Sequence, residues 1–314
     1  MVVRDLWAGA DVRWSGPEAV RRGVRLHPDD RAVVVDPGRH RVGSFSSLYH
    51  PAGTRPPRPR RGVTIRLAEG GEVTVARKHL ELIAPDHPLA PEPDGTPAAW
   101  WLEQLEPWGR EALPVSSLVP SGFRSVCQVL HPWWGPDAVP TSWRSLARQL
   151  DFPSVTALDA TREMFSIRAA EDAGYSSSPG EPDMGTAETL VEILAGHTTS
   201  PEDAFVAVWE GWGDVPPQRF PGAARLDTQA RGHFLLRGPL AGVLRSVDVS
   251  SYDRPAAGLW WPADRAWFAA TEIEFEWTFV AGDQALIDRL LTDDRLEVAQ
   301  TTFDAAANLA AEPS

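Results

Sequence analysis

The sequence is poor in the residues that build disulfide frameworks and soft metal sites. It contains one cysteine, Cys127, so no disulfide can form within the chain and a zinc site made of several thiolates is excluded. Because Cys127 lies in an apolar run between Val126 and Val129, we expect a buried core residue rather than a nucleophile. So low a cysteine content fits a reducing compartment.

Sequence motifs of several enzyme classes are also missing. The eight histidines form no HxxxH or HExxH pair, and no GxSxG elbow, Walker loop or GxGxxG fingerprint occurs. His131, which precedes a Trp-rich turn, is the histidine best placed for acid or base work. We therefore predict no cofactor and no metal site built from Cys or His.

Long apolar runs are absent as well. No segment reaches the eighteen or more apolar residues that a membrane-spanning helix needs, and the first residues lack the basic start and apolar core of a signal peptide. The sequence therefore predicts a cytoplasmic protein that has no membrane partner.

Charge is distributed unevenly along the chain. Residues 1–85 carry fifteen Arg or Lys and nine Asp or Glu, whereas the remaining residues carry fifteen and thirty-four, which gives net charges of +6 and −19. Lysine occurs once among the 30 basic residues, a skew typical of G+C-rich codon usage. The opposite signs predict that the two parts attract each other or attract different partners.

Residues 1–83 predict a small antiparallel β structure. Glu69-Gly70-Gly71 has the composition of a hairpin turn, and five short β-type runs occur at 11–15, 31–36, 63–67, 72–76 and 77–83. This succession resembles an SH3-like barrel of the Tudor or KOW kind. The resemblance implies a module that binds peptides, RNA or other proteins.

A long Arg- and Pro-rich loop, residues 38–62, interrupts this part. Its four clustered arginines alternate with prolines, so they are expected to be extended and exposed: Arg55, Arg58, Arg60 and Arg61. Such a loop suits phosphate contacts with nucleic acid or docking on an acidic protein surface, and the alternative is a solvated loop without a partner. Aromatic residues that would stack on bases are sparse here.

Residues 84–98 contain five prolines and no periodicity, which predicts a stiff linker between two domains. The acidic, Trp-rich part at 99–314 then mixes helix and strand patterns. Ser142 or Thr141 is a candidate cap for a helix to Leu150, Thr186 for another, and 204–210 reads as a buried strand. The pattern lacks a strict βαβ rhythm, so we predict an α+β fold with a mainly antiparallel sheet.

Four segments of this part carry a family resemblance: SGFRSVCQVLHPWWG, AGHTTSPEDAFVAVWEGWG, FLLRGPLAGVL and LWWPADRAWFAATEIEFEWTFVAGDQALIDRLLTDDRLEV. They resemble a Trp-rich family of bacterial proteins with no assigned function and cover most of residues 121–300. The resemblance implies a shared fold and carries over no catalytic residue.

Three Trp-rich corners, at 131–137, 209–214 and 260–264, each combine Trp with Gly or Pro and a following Asp. If the corners converge, they form an aromatic cleft with carboxylates. The ligand-binding candidates are Trp133, Trp134, Trp212 and Trp261, and the acid–base candidates are Asp264, Asp214, Glu210 and His131. The alternative is that Trp fills the core while Asp caps turns.

Glu272, Glu274 and Glu276 alternate with apolar residues. Read as a strand, this pattern places the three carboxylates on one face, where they could hold a divalent cation or meet a basic partner. A solvated strand face is the alternative.

The sequence leaves three functional hypotheses open. The leading hypothesis is a non-enzymatic binding protein whose acidic domain engages a basic protein or small ligand, as an immunity-type inhibitor would. The alternatives are a carboxylate-dependent hydrolase with a Trp-lined cleft and a nucleic-acid-binding adaptor that uses the basic barrel. The oligomeric state does not follow from the sequence.

Overall fold

The computed structural model describes the following residues: 11–14, 19–21, 24–26, 31–36, 63–67, 72–75, 80–82, 88–108, 113–137, 139–156, 166–177, 179–212, 220–228, 231–249, 252–254 and 257–313. The chain divides into two compact units. The smaller contains residues 1–87, 213–218 and 248–252, and the larger contains 88–212, 219–247 and 253–314.

The smaller unit contains seven described strands: β1 (Asp11–Trp14), β2 (Ala19–Arg21), β3 (Val24–Leu26), β4 (Arg31–Asp36), β5 (Val63–Leu67), β6 (Glu72–Val75) and β7 (Leu80–Leu82). Five of them form an antiparallel sheet in the order β6-β5-β4-β1-β7, and β2 pairs with β3. Leu26 and Ile65 are fully buried. Closure into an SH3-like barrel stays a prediction, and the loop with Arg55, Arg58, Arg60 and Arg61 lies outside the described residues.

The described elements beyond residue 87 are β8 (Ala90–Pro91), α1 (Thr96–Leu102), β9 (Ser125–Leu130), β10 (Trp133–Trp134), β11 (Pro140–Thr141), α2 (Trp143–Gln149), α3 (Ser166–Asp172), α4 (Met184–Ala195), β12 (Ala204–Trp209), β13 (Arg225–Asp227), β14 (Gly232–Gly238), β15 (Val247–Val249), β16 (Tyr252–Arg254), β17 (Ala257–Pro262), β18 (Phe268–Ala270), β19 (Trp277–Gly282), α5 (Gln284–Leu291) and β20 (Glu297–Thr301). The five described α-helices belong to the larger unit, whereas β15 and β16 cross the division of the chain between the two units. Two 3-10 helices span Val115–Ser117 and Leu240–Arg245. None of the described helices is both long and apolar enough to cross a membrane.

A nine-stranded antiparallel sheet organises this unit. Its order is β13-β14-β12-β17-β18-β19-β9-β20, with β8 also paired to β14. Every pairing between its described strands is antiparallel, which confirms the predicted α+β class with an antiparallel sheet. β20 therefore lies at one edge of the sheet.

The structure differs from the predicted linker over residues 88–98. β8 pairs with β14, Glu92 N–H donates to the Leu235 carbonyl at 2.9 Å, and α1 begins at Thr96. Proline is tolerated on an edge strand and in the first turn of a helix, so Pro91 and Pro97 do not prevent this. Because this segment is rich in proline, the sequence did not predict that it contains an edge strand and the start of a helix of the larger unit.

Aromatic side chains fill the core on one face of the sheet. Trp261 stacks on Phe205 at 5.6 Å and on Phe268 at 5.8 Å between ring centroids. Farther along the same core, Trp143 packs edge-on against both Trp133 and Trp277. α1 and α2 contribute to this layer because their apolar residues, including Trp101 and Leu146, are fully buried.

α4 and α5 pack against each other and carry the other buried apolar layer. Successive strand residues point to opposite faces, so Trp260 lies on the face opposite Trp261. Trp260 packs edge-on against Trp267, whose Nε1 donates to the Leu194 carbonyl at the end of α4. The cap of α4 is Asp183, three residues before the predicted Thr186, and its carboxylate accepts the N–H groups of Gly185 and Thr186.

Candidate binding cleft

The Trp corners do not form one cleft. Trp133 and Trp261 are buried in the aromatic core, Trp134 is partly buried and its backbone pairs with Ser176, and Trp212 contacts Trp209 instead. The alternative interpretation, in which Trp fills the core, describes Trp133 and Trp261. These two residues consequently cannot bind a ligand without unpacking the core.

Trp212 belongs to a separate, partly exposed cluster. Its ring and that of Trp209 pack edge-on at 5.4 Å, and the Arg231 guanidinium lies 5.5 Å from the centre of the Trp209 ring. Gly180 supports the cluster with a φ of +86°, and a Cβ there would lie 2.8 Å from the Ile273 Cα. Only glycine accommodates this backbone and this approach.

The predicted carboxylate candidates have structural partners or lie outside the described part of the chain. Asp264 accepts hydrogen bonds from the hydroxyl groups of Thr198 and Thr199 and from the backbone of Thr199 and Ala266. Burial opposes its ionisation, but these bonds outweigh burial and hold its pKa below the usual range. Glu210 accepts from Arg225 at 2.7 Å, and Asp214 is not among the described residues.

His131 lies inside the sheet, where it cannot reach a substrate. It is 2% exposed, its Nε2 lies 2.9 Å from the Thr278 hydroxyl, and its carbonyl accepts from the Trp143 indole. Cys127 is buried as predicted, and desolvation raises the pKa of its thiol to about 12. Neither residue is presented for chemistry in this arrangement.

The predicted strand of alternating glutamates is a turn, and β19 begins only at Trp277. Glu272 and Glu276 are buried, whereas Glu274 is exposed, so no common carboxylate face exists. The reason is that Glu272 turns inward to meet Arg231, whose Nε and Nη2 donate to its Oε1 at 3.1 and 2.7 Å. No group of three His, Cys, Asp or Glu in the described part of the chain is arranged to hold a metal ion.

A small cavity adjoins this ion pair. It has a volume of about 20 Å³, room for one water-sized group, and is lined in part by Trp108, Ser117, His233, Thr271 and Glu272. His233 is 6% exposed, and its Nδ1 has no hydrogen-bond partner among the described residues. Burial lowers the pKa of His233 to about 4, while burial raises the pKa of Glu272 and Arg231 offsets part of that rise.

The His233 environment predicts acid sensitivity of the fold. In the unfolded chain a histidine titrates near pH 6.5, whereas His233 titrates near 4, so the unfolded state binds more protons between these values. Stability should therefore fall as the pH drops from about 6.5 to about 4, by about 3 kcal/mol in total. His233→Gln should remove this part of the loss in urea unfolding measured across that range.

The difference in pH dependence between wild type and His233→Gln reports the contribution of His233. Glu272 and Glu297 have raised pKa values and favour the folded state as the pH falls, but both residues are present in either protein. His197→Gln, at a partly exposed position, is the control for removing a histidine. Equal pH slopes for wild type and His233→Gln would contradict the prediction.

A second cleft, of about 630 Å³, lies where α2, the first turns of α4 and β20 meet. Its size is within the range of clefts that hold ligands. Apolar groups, including Pro132, Pro140, Leu296 and Val298, alternate with hydroxyls and charges in its lining. The charged side chains are Arg144, Arg148, Asp183, Asp294, Arg295 and Glu297.

Four of these six charges are engaged by the protein itself. The Glu297 carboxylate accepts the backbone N–H groups of Trp143 and Arg144 at 2.6 and 2.9 Å, and Asp183 caps α4. Arg295 pairs with Glu192 and Asp293. Arg144 Nη2 donates to the Pro313 carbonyl at 2.7 Å.

The other two charges are uncommitted. Arg148 uses its Nε on the Arg144 carbonyl, but its Nη atoms have no partner among the described residues. Asp294 is exposed and likewise has no hydrogen-bond or ion-pair partner there. The cleft thus offers one positive and one negative group that form no ion pair among the described residues, although the Arg148 charge also favours the ionised form of Glu297.

Sequence reasoning missed this cleft. The i, i+4 spacing of Arg144 and Arg148 indicates a basic stripe on α2, which is a readable signal. Asp294 and Val298, however, lie about 150 residues away in the chain and join this stripe only through the sheet topology. Local sequence patterns do not show which distant residues the fold brings together.

Comparisons of the chain with protein-family models, with curated proteins and with solved structures found no match.

Proposed function

We propose that this is a non-enzymatic binding protein whose larger unit binds a segment of another protein in the cleft between α2, α4 and β20. The observation that supports this proposal is the cleft itself, about 630 Å³ in volume and lined by the uncommitted charges of Arg148 and Asp294. By contrast, Asp264, Glu210 and His131, the sequence candidates for acid–base work, are engaged in structural bonds.

The lining suits a polypeptide. Protein segments present main-chain amides, apolar side chains and charges of both signs, and the cleft offers complementary groups of each kind. The net charge of −19 beyond residue 85 favours the approach of basic proteins at long range, while the cleft recognises both signs locally. A basic partner that carries a mixed-charge segment satisfies both observations.

Charge reversal in the cleft tests the proposal. A phage-displayed library of short linear peptides is selected on the full-length protein at low salt, and affinities of enriched peptides are measured by fluorescence polarisation. Arg148→Glu and Asp294→Lys should each weaken binding by about fivefold, because an attraction to the peptide becomes a repulsion.

Exposed charges outside the cleft provide matched controls. Arg124→Glu and Glu188→Lys make the same charge changes at exposed positions that do not line the cleft and should bind like wild type. A library that yields no enriched peptide, or enriched peptides that bind all four variants equally, would refute binding at this cleft.

A further inference from the structure

We propose that the bound segment adds to the sheet as an extra strand alongside β20, an inference that rests on the proposed binding function. β20 is the last strand in the sheet order, so its outer edge faces no other described strand. Extended peptides commonly bind such edges, where main-chain hydrogen bonds supply affinity and alternate side chains supply specificity.

The register shows which backbone groups face outward. His131 N–H donates to the Glu276 carbonyl, so the backbone of His131 points toward β19. Because backbone groups alternate in direction along a strand, those of Leu130 and Gln128 point the other way, toward β20. Their partners in the register are Glu297 and Ala299.

The backbone N–H and C=O groups of β20 that do not bond to β9 are those of Val298 and Gln300. Since Glu297, Ala299 and Thr301 use their N–H and C=O groups on β9, those of Val298 and Gln300 point away from the sheet. No described backbone group pairs with them. Val298 also lines the cleft, so an occupant of the cleft reaches an outward donor and acceptor.

An extended segment of a different protein fits this edge better than a second copy of the chain. The cleft is lined by α2 and by the first turns of α4 as well as by β20, and Val298 is 5% exposed. β20 is therefore recessed at Val298, and the β20 of a second copy, recessed in the same way, would bring its own helices against these. A free extended segment has no such obstacle.

The charges of the cleft then define the segment. Side chains of a strand alternate between faces at about 3.3 Å per residue, so an added strand covering the five residues of β20 presents side chains to both sides of the edge. An acidic side chain would meet Arg148 and a basic one Asp294. The partner class is an extended, mixed-charge segment recognised mainly through its backbone.

Proline substitutions separate backbone recognition from side-chain recognition. Gln300→Pro and Val298→Pro each delete an outward N–H while leaving the hydrogen bonds to β9 in place, a position where proline is tolerated. Gln300→Ala and Val298→Ala change the side chains and keep the N–H groups. For peptides enriched on wild type, each proline variant should bind about tenfold more weakly than its alanine control.

Circular dichroism and urea unfolding establish that each variant is folded. If Val298→Pro does not fold, the test relies on Gln300→Pro, because the Gln300 side chain is exposed. Equal affinities for the proline and alanine variants, together with weakened binding by Arg148→Glu, would overturn strand addition and leave the cleft as a side-chain site. If neither the proline variants nor Arg148→Glu weaken binding, the proposed function itself is refuted. A protein that self-associates through this edge, detected as a dimer that Gln300→Pro dissociates, would also overturn the inference.

Discussion

Replacing Trp261 with alanine is expected to lower the free energy of unfolding by about 3 to 5 kcal/mol, the loss typical of removing a large aromatic side chain from a core. Trp261 is 1% exposed, stacks between Phe205 and Phe268, and meets Trp101 edge-on at 5.4 Å. Its removal leaves a cavity that three ring neighbours on different elements line, and no single shift of the backbone can fill it. Urea unfolding followed by circular dichroism measures the loss.

Trp212→Ala is the matched control, because the same side chain is deleted from a partly exposed position. Trp212 contacts Trp209 but lies outside the aromatic core, so its loss should cost less than about 1.5 kcal/mol. Similar losses for the two variants would contradict the division of the Trp corners into a core and a surface cluster. An aromatic cleft shared by the three Trp corners would then be the better interpretation.

The class of the fold could be predicted because local patterns determine it. Ser142, one of the two predicted cap residues, caps α2 with its hydroxyl accepting the Ser145 N–H, and Trp143 and Leu146 of that helix are buried. The apolar run at 204–209 is a central strand, β12. In each case the periodicity of burial within about ten residues carries the signal.

The candidate site could not be predicted, because its geometry depends on contacts between distant residues. The alternation of Glu272, Ile273 and Glu274 fits a strand, yet the ion pair with Arg231, 41 residues earlier, draws Glu272 inward and favours a turn. In the same way, the Asp of the third Trp corner, Asp264, is held by Thr198 and Thr199, which precede it by 66 and 65 residues. A pattern of period two does not distinguish these outcomes.

Removing the Arg231 side chain should be among the most damaging changes to this fold near neutral pH. Arg231→Met is expected to cost about 3 to 5 kcal/mol, because it leaves the Glu272 carboxylate, 9% exposed, buried without its partner. The double variant Arg231→Met with Glu272→Met should recover most of this loss, since no buried charge then remains. Urea unfolding of the four proteins near pH 7 gives the coupling free energy directly.

The pH dependence of the single variant provides a second readout. Burial already raises the pKa of Glu272, and Glu274 adds repulsion, so loss of the Arg231 guanidinium should raise it further. A carboxyl whose pKa is raised in the folded state destabilises the fold above that pKa and ceases to do so as it becomes protonated. The deficit of Arg231→Met relative to wild type should therefore shrink as the pH falls toward about 4.5. Repulsion from the Arg231 guanidinium also lowers the pKa of His233, so the comparison is made in a His233→Gln background, where the difference between the proteins with and without Arg231 reports Glu272. A deficit that stays constant with pH would show that Arg231 acts through its packing on Trp209 rather than through the buried carboxylate.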